Sequence, residues 1–367
     1  MKTFVRYAVA LLAITVTCQA GLALAEDYYW VGSGDQTAAP TAAEKAAPAQ
    51  PQSASNTCCP PPCGCEQSCD PCDGCGCRMG CDQCPPVGLV GSFGLDSFKG
   101  IADGGASNFG AVTTLNVGVP IPGLRDYGLG WQTGISYGVY DFDGRITGTD
   151  TARSQQQTFV TTGFFRKANC DQRLSFGLVY DWMCNSEWGV YGNDPMLGQW
   201  RGQIEYAVTD CNGMGLWFAK RDLGSVQRPL RDSDLTVSNR AISQVNLFWH
   251  HKFACTCADS WLWVGIPDQG RYDDDGSLGN WTIGASVQVP LSQRSALYAN
   301  GSYMHPSASA SPDANIEAGW DVSFGVAWYF GGNARSCALN GKCWVPYMPV
   351  ANNTNFLVEQ GVSGVAN

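Results

Sequence analysis

Residues 129–139 read Leu-Gly-Trp-Gln-Thr-Gly-Ile-Ser-Tyr-Gly-Val, and they decide the fold class. One set of alternate positions holds Leu, Trp, Thr, Ile, Tyr and Val, and the other holds only Gly, Gln and Ser. Successive side chains of a β-strand point to opposite faces, so a period of two predicts a strand. One face of this strand is apolar, and the other carries small or polar residues.

The same alternation recurs along the chain as far as Phe330. Short connections alternate with longer ones, as in bacterial outer-membrane proteins, where short periplasmic turns oppose long extracellular loops. The predicted fold class is all-β, an antiparallel up-and-down transmembrane β-barrel of about 12 strands that follows a disordered, Cys-rich N-terminal segment. An even number of strands places both termini in the periplasm. The predicted strands are residues 87–98, 107–119, 129–142, 157–168, 173–184, 199–209, 214–222, 239–253, 260–267, 279–289, 295–305 and 317–330.

The polar face separates a membrane barrel from a soluble β-sandwich, because each of these folds has one apolar face. A solvated sheet exposes charged residues, whereas here this face is largely Gly, Ser, Gln and Asn. Tryptophans gather near both ends of the predicted strands, as expected at the two lipid–water boundaries. The predicted aromatic belt comprises Trp131, Trp182, Trp200, Trp249, Trp261, Trp281, Trp320 and Trp328.

The N-terminus carries an export signal. Residues 1–25 combine Lys2 and Arg6 with an apolar middle and the small-residue cleavage site Ala23-Leu24-Ala25, which predicts a secretory signal peptide. The composition then predicts an Ala/Pro/Gln linker at 26–57, a Cys-rich periplasmic segment at 58–86, the barrel at 87–330 and a periplasmic C-terminal tail at 331–367. The predicted location is the bacterial outer membrane.

The chain has 18 cysteines, and 17 remain once the signal with Cys18 is removed. Ten lie within residues 58–84, with C-x2-C spacings that would suit zinc in a cytosolic protein. Export favours disulfides instead, formed within the chain, to like chains or to other envelope proteins. No metal site is predicted. The disulfide candidates are Cys58, Cys59, Cys63, Cys65, Cys69, Cys72, Cys75, Cys77, Cys81, Cys84, Cys337 and Cys343.

Charge and histidine content argue against two other classes of protein. A formal charge of −10 leaves no basic footprint for nucleic acid. The three histidines, His250, His251 and His305, favour lumenal or interfacial roles over a Ser/His/acid hydrolase, which needs a Ser and an orienting partner within reach. The run Asp273-Asp274-Asp275 lacks the spacing of an EF-hand loop and indicates an acidic exposed loop. Neither an enzyme nor a cofactor is predicted.

The polar face of the predicted barrel forms a lumen of mixed charge. Asp181 and Arg201 belong to this face near the same end of neighbouring strands, so they are expected to face each other. Twelve strands predict a lumen between the filled eight-stranded barrels and the open sixteen-stranded porins. The pore-lining candidates are Gln132, Arg173, Asp181, Arg201, Glu205, Gln244, Asn246, His250, Asn300 and Asp321.

The end of the last strand resembles a known family. Gly319-Trp320 is followed by Ala-Trp-Tyr-Phe-Gly-Gly-Asn-Ala-Arg at 327–335. With the Cys-rich segment and the β-rich body, it resembles an uncharacterised planctomycete family of exported, Cys-rich, outer-membrane β-barrel-like proteins over about residues 87–335. The resemblance implies an exported barrel and no particular activity. The strand is also similar to the C-terminal insertion signal of outer-membrane proteins, although 37 residues follow Phe330.

Three functions remain open at this point. The first is a porin-like outer-membrane barrel, a narrow solute channel anchored on its periplasmic side by disulfides. The second is a non-conducting barrel that serves as a structural part of the cell envelope. The third is an exported soluble β-sandwich that acts as a binding module.

Overall fold

The computed structural model describes the C-terminal three quarters of the chain with gaps. The described residues are 87–100, 107–140, 154–168, 172–189, 193–209, 211–227, 235–253, 256–268, 279–306, 318–330, 334 and 344–364.

Twelve antiparallel strands close into a barrel in the order β1-β14-β13-β12-β11-β10-β7-β6-β5-β4-β3-β2, and three more form a separate small sheet in the order β15-β9-β8. The single closed sheet confirms the predicted fold class and is not a two-sheet sandwich. Among the described residues, no helix is long and apolar enough to cross a membrane. The strands are β1 Gly88–Lys99, β2 Asn108–Pro120, β3 Leu129–Tyr140, β4 Gln155–Arg166, β5 Leu174–Ser186, β6 Met196–Ala207, β7 Asn212–Arg221, β8 Ser225–Gln227, β9 Leu235–Ala241, β10 Gln244–Lys252, β11 Asp259–Pro267, β12 Gly279–Pro290, β13 Ser295–Pro306, β14 Gly319–Tyr329 and β15 Val358–Gly364.

One predicted strand is in fact two. The alternation at 239–253 was expected to form a single strand, but β9 ends at Ala241 and β10 begins at Gln244. The chain leaves the wall at this point because β9 pairs with β8 and β15, whereas β10 pairs with β7 and β11. The small sheet β8–β9–β15 was not predicted.

The two ends of the barrel differ in their connections. At the short-turn end lie the connections after β2, β4, β6, β10 and β12, as well as the start of β1 and the end of β14. At the long-loop end lie the longer connections, including the one that carries β8 and β9. This arrangement follows the predicted alternation of turns and loops.

The wall is apolar outside and polar inside. On β10, Val245, Leu247 and Trp249 are exposed, while Gln244 and Asn246 are buried. Large apolar side chains on the outer face keep about half of their surface exposed, as with Phe93 at 55%, Val264 at 52% and Phe324 at 54%.

The predicted belt tryptophans lie at both ends of the wall, with one exception. Three exposed tryptophans lie near the short-turn end: Trp131, Trp249 and Trp328. Two more exposed tryptophans, Trp200 and Trp281, lie toward the long-loop end. The side chains of Trp182 and Trp320 are half-buried. Trp261 does not belong to the belt. It shares the inner face of β11 with the buried Trp263, and its ring stacks on that of His250 with centroids 4.1 Å apart. Aromatic residues on this face form an apolar cluster inside the barrel with Trp217 and Phe248.

The C-terminal residues run through the barrel. The sequence predicts a periplasmic tail at 331–367, but the side chains at 348–358 are largely buried, and residues 347–355 hydrogen-bond to the inner faces of the wall strands. We call residues 344–358 the threaded segment. The correction has a physical reason, because Tyr347 to Val358 carry no charge and bury against a wall that offers polar partners.

Candidate functional site

The threaded segment enters at the short-turn end, where the wall allows close approach of its main chain. A Cβ on Gly118 of β2 would lie 2.1 Å from the Trp344 carbonyl oxygen, and one on Gly88 of β1 would lie 2.2 Å from the Trp344 carbonyl carbon. Only glycine fits at these two wall positions, because any side chain would overlap the segment. The entry point is therefore specified by the wall itself.

The first anchor is the main chain of Met348. Its carbonyl oxygen accepts hydrogen bonds from Asn116 Nδ2 at 3.0 Å and from Gln132 Nε2 at 2.9 Å. Its N–H donates to Gln132 Oε1 at 3.1 Å, so the Gln132 amide satisfies both main-chain groups. Gln132 is fully buried and lies opposite Gly118 in the sheet register.

The second anchor is a buried ion pair in the wall. Arg201 on β6 donates from Nε to Asp181 Oδ2 at 2.9 Å and from Nη2 to Asp181 Oδ1 at 3.1 Å, which confirms that these residues face each other. Arg201 Nη2 also donates to the Pro349 carbonyl at 2.7 Å. Thr161 on β4 donates to Asp181 Oδ1 at 2.7 Å and accepts from the Ala351 N–H at 2.9 Å. The wall pair thus holds two successive parts of the segment.

Tyr347 connects the segment to charges near the short-turn end. Its hydroxyl donates to Glu205 Oε2 at 3.1 Å and accepts from Gln203 Nε2 at 2.9 Å. Both partners lie on the inner face of β6.

Glu205 continues into a chain of charged groups. Its Oε1 lies 2.7 Å from His250 Nδ1, and His250 Nε2 lies 3.2 Å from Asp259 Oδ1. Lys252 Nζ donates to both oxygens of Asp259, at 3.0 and 2.9 Å. Two carboxylates and two basic groups alternate, so each charge in this buried row has an opposite neighbour.

Two carboxylates meet toward the long-loop end without a cation between them among the described residues. Asp96 on β1 and Asp321 on β14 are 4% and 2% exposed, and we call them the acidic pair. Asp96 Oδ2 accepts from Tyr140 Oη at 2.6 Å and from Asn353 Nδ2 at 3.0 Å, and Asp321 Oδ2 accepts from Thr354 Oγ1. The Oδ1 atoms of both carboxylates are buried without a hydrogen-bond partner in the described part of the chain.

The segment leaves the lumen at the long-loop end. The Phe356 ring packs on that of Phe159 with centroids 5.8 Å apart, and the Leu357 carbonyl accepts from the Ile242 N–H at 2.8 Å. Val358–Gly364 then forms β15 on β9. The segment therefore crosses from one end of the barrel to the other.

The predicted pore-lining residues lie almost entirely on the inner face. Asn300 is half-buried and bonds Ser286 and Ser323. Arg173 is not in the lumen: it precedes β5, is exposed, and its Nη1 donates to the Val208 carbonyl at 3.1 Å. The other eight, Gln132, Asp181, Arg201, Glu205, Gln244, Asn246, His250 and Asp321, are at most 3% exposed.

The threaded segment was missed by the sequence analysis. It has no regular period, so it gave no strand signal, although a stretch without charge between Lys342 and Glu359 is unusual for a solvated tail.

All twelve disulfide candidates lie outside the described residues, so the disulfide prediction stays a prediction. The described residues contain no group of three or more His, Cys, Asp or Glu side chains placed to hold a metal ion.

One serine sits in a pattern typical of hydrolases. Gly134-Ile135-Ser136-Tyr137-Gly138 matches Gly-x-Ser-x-Gly, but it lies inside β3 rather than at the sharp strand-to-helix turn that exposes a nucleophile. The hydroxyl of Ser136 accepts from Thr114 Oγ1 at 3.0 Å. We assign it no catalytic role.

A family model matches residues 90–358, and its description is a family of unknown function, DUF6666. The chain belongs to this family. The DUF6666 match extends beyond β14 and includes the threaded segment. The planctomycete origin and the shared Cys-rich segment that the resemblance implied stay predictions. No curated protein matches the DUF6666 chain in sequence.

Solved structures similar to the DUF6666 chain include several outer-membrane proteins. An outer-membrane channel from Pseudomonas putida F1 is 8% identical with a TM-score of 0.45, covering 66% of this chain and 94% of the channel. The KdgM porin is 11% identical with a TM-score of 0.36, covering 66% and 99%. A Pseudomonas aeruginosa FadL homologue is 11% identical with a TM-score of 0.34, covering 66% and 88%.

Proposed function

We propose that the protein is an exported outer-membrane β-barrel, a narrow porin-like channel that the threaded segment closes in the state described. The observation that carries the proposal is a closed twelve-stranded wall, apolar outside and polar inside, with a segment of its own chain in the lumen.

The outer face supports a lipid environment. Exposed apolar side chains follow one another from strand to strand, as with Leu216, Leu247 and Val264, which are paired neighbours on β7, β10 and β11. A contiguous apolar surface of this kind marks a membrane or protein interface. Short turns at one end and long loops at the other favour the outer membrane, with the short turns in the periplasm.

The inner face supports a channel that opens when the threaded segment moves. The segment is held through hydrogen bonds to its main chain, such as those to the carbonyl oxygens of Met348 and Pro349, and through neutral side chains such as that of Asn353. Without it, the lumen would be lined by Asp181, Arg201 and Glu205 among others, a mixture that predicts weak selectivity by charge.

A second candidate function is a non-conducting structural barrel. It is favoured by the Asp181–Arg201 pair, which braces neighbouring strands as well as the segment. In that case the segment is a permanent part of the core and never leaves the lumen.

Disulfide anchoring is part of the proposal. We infer that the cysteines at 58–84, with Cys337 and Cys343, tie the periplasmic side of the barrel to itself or to envelope partners. Support comes from their number, from the predicted export and from the start of the wall at the short-turn end. Gel mobility with and without reductant tests this, and unchanged mobility with every thiol open to alkylation would contradict it.

Conductance in planar bilayers tests the main proposal. The full chain is expected to open rarely, and a chain ending at residue 343 is expected to conduct steadily. A chain ending at residue 364 is the matched control, because it keeps both the threaded segment and β15 and should remain closed. A heat-sensitive shift in gel mobility shows that each variant is folded, and a folded, inserted chain ending at 343 that does not conduct would favour the structural barrel.

A further inference from the structure

The small sheet fixes where the C-terminal residues emerge. The chain leaves β14 at the short-turn end, and it reappears at the long-loop end as β15. Between these points its contacts follow the barrel axis in order. Trp344 lies at the entry glycines, Pro349 at Arg201, and Leu357 at Ile242, just outside the wall.

We infer that residues 358–364 lie on the outer surface of the cell, so that the barrel carries its own C-terminal segment across the outer membrane. The inference rests on the proposed function, since it takes the long-loop end as extracellular. The end of β14 and the whole of β15 then lie on opposite sides of the membrane, which assigns the barrel a translocation role beyond that of a channel.

Pairing outside the wall holds the segment in the crossed position. Seven residues of β15 pair with β9 in continuous register, from Val358 opposite Ala241 to Gly364 opposite Leu235. Arg240 Nε donates to Glu359 Oε2 at 2.6 Å, and Glu359 is 4% exposed. The segment cannot withdraw toward the short-turn end without breaking this sheet and this ion pair.

The position of β15 in the small sheet determines where residues that follow it would be exposed. β15 is an outer strand of the small sheet, since the order is β15-β9-β8. Residues attached after Gly364 would therefore be presented beside the long loops, on the side of the membrane that faces the environment.

Epitope tags placed at three glycines test the inference in the full chain. One tag follows Gly364. A second follows Gly189, at the long-loop end, and a third follows Gly123, in the turn between β2 and β3 at the short-turn end. Both control glycines lie in connections between wall strands and have open space around them, so we expect an insertion there to be tolerated. Antibody binding is measured on intact cells and again after the outer membrane is permeabilised.

We expect the tags after Gly364 and Gly189 to bind equally before and after permeabilisation, and the tag after Gly123 to bind only afterwards. If the tag after Gly189 is accessible and the tag after Gly364 is hidden, the inference is overturned while the barrel and its orientation stand. If only the tag after Gly123 is accessible, or no tagged chain is in the membrane fraction, the proposed function fails as well.

A second measurement avoids an insertion near β15. Proteinase K is applied to intact cells expressing the untagged chain, and the C-terminal peptides are followed by mass spectrometry. Loss of peptides beyond residue 358 with survival of peptides from the turn at 121–128 supports the inference. Survival of both, under conditions that cut the loop at Gly189, contradicts it.

Discussion

Replacing Arg201 by Met separates the role of this residue in the wall from its role in holding the threaded segment. Met matches the length of the aliphatic part of Arg but cannot donate a hydrogen bond. The substitution removes the bond to the Pro349 carbonyl at 2.7 Å and leaves Asp181 as a buried carboxylate without its cation.

Loss of the hydrogen bond to Pro349 and loss of the ion pair with Asp181 differ in their free-energy cost. A hydrogen bond from a charged group contributes about 1.5–3 kcal/mol, so the closed state of the segment should weaken by that amount. Since about 1.4 kcal/mol is a factor of ten, the ratio of open to closed channels should rise roughly 10- to 100-fold. Leaving one half of a buried ion pair costs about 3–5 kcal/mol of folding free energy in addition.

The double variant D181N/R201M distinguishes these effects. The Asp181→Asn change removes the uncompensated charge, and the new amide oxygen can still accept the hydrogen bond from Thr161, so folding stability should largely recover. The contact with Pro349 remains absent, so the channel should still open more often than in the parent chain.

Planar bilayer recordings give the open probability, and the temperature of the heat-induced gel shift gives stability. Arg221→Met is the matched control, because its ion pair with Asp268 is about one-third exposed and contributes about 0–1 kcal/mol. An R201M chain that is destabilised but opens no more often would refute the role of Arg201 in closure. A double variant that recovers closure together with stability would refute it as well.

Three further predictions concern other parts of the barrel. Gly134→Ala places a Cβ 2.4 Å from Cγ2 of Val350 in the threaded segment. The overlap should weaken the closed state by about 1–3 kcal/mol and so raise the open probability. Gly319→Ala is the control, because its Cβ would lie 3.7 Å from the nearest atom, Met304 Cε, and it should leave conductance unchanged. Asp321→Asn should stabilise the fold by about 1–2 kcal/mol, because it removes one of two neighbouring buried carboxylates while the amide oxygen can still accept the hydrogen bond from Thr354; a gel-shift temperature lower than that of the parent would contradict this. Leu247→Arg places a charge on the outer face of the wall, at a cost of about 2–4 kcal/mol, and should reduce the membrane-inserted fraction. Leu291→Arg, in the turn between β12 and β13, is the control and should insert normally. Equal insertion of the two variants would argue against lipid contact at the outer face.

The wall could be predicted from the sequence because its signal is local. A period of two persists over each strand, so the faces of β3 and β10 follow from their own residues. The Asp181–Arg201 contact could be predicted as well, because both residues belong to the polar face near one end of a β-hairpin.

Features that depend on distant partners could not be predicted. Trp261 looks like a boundary residue, but both faces of β11 carry large apolar residues, and only the neighbouring His250 shows that this Trp points inward. The threaded segment has no period at all, because its main chain bonds to side chains such as Gln132 instead of a regular strand. Its hydrogen bonds join residues up to 257 positions apart in the chain, as between Asp96 and Asn353, and no local pattern records them.

The path of the C-terminal residues sets a condition on the order of assembly. β14 precedes them and closes the ring against β1, yet β15 ends on the far side of that ring. Drawing a free end through a finished ring already lined with bulky side chains is slower than closing the ring around an end that is in place, and connections in proteins rarely thread one another. We therefore expect the pairing of β1 with β14 to form last. The machinery that inserts the barrel would then bind an open sheet whose C-terminal segment already lies against its inner face.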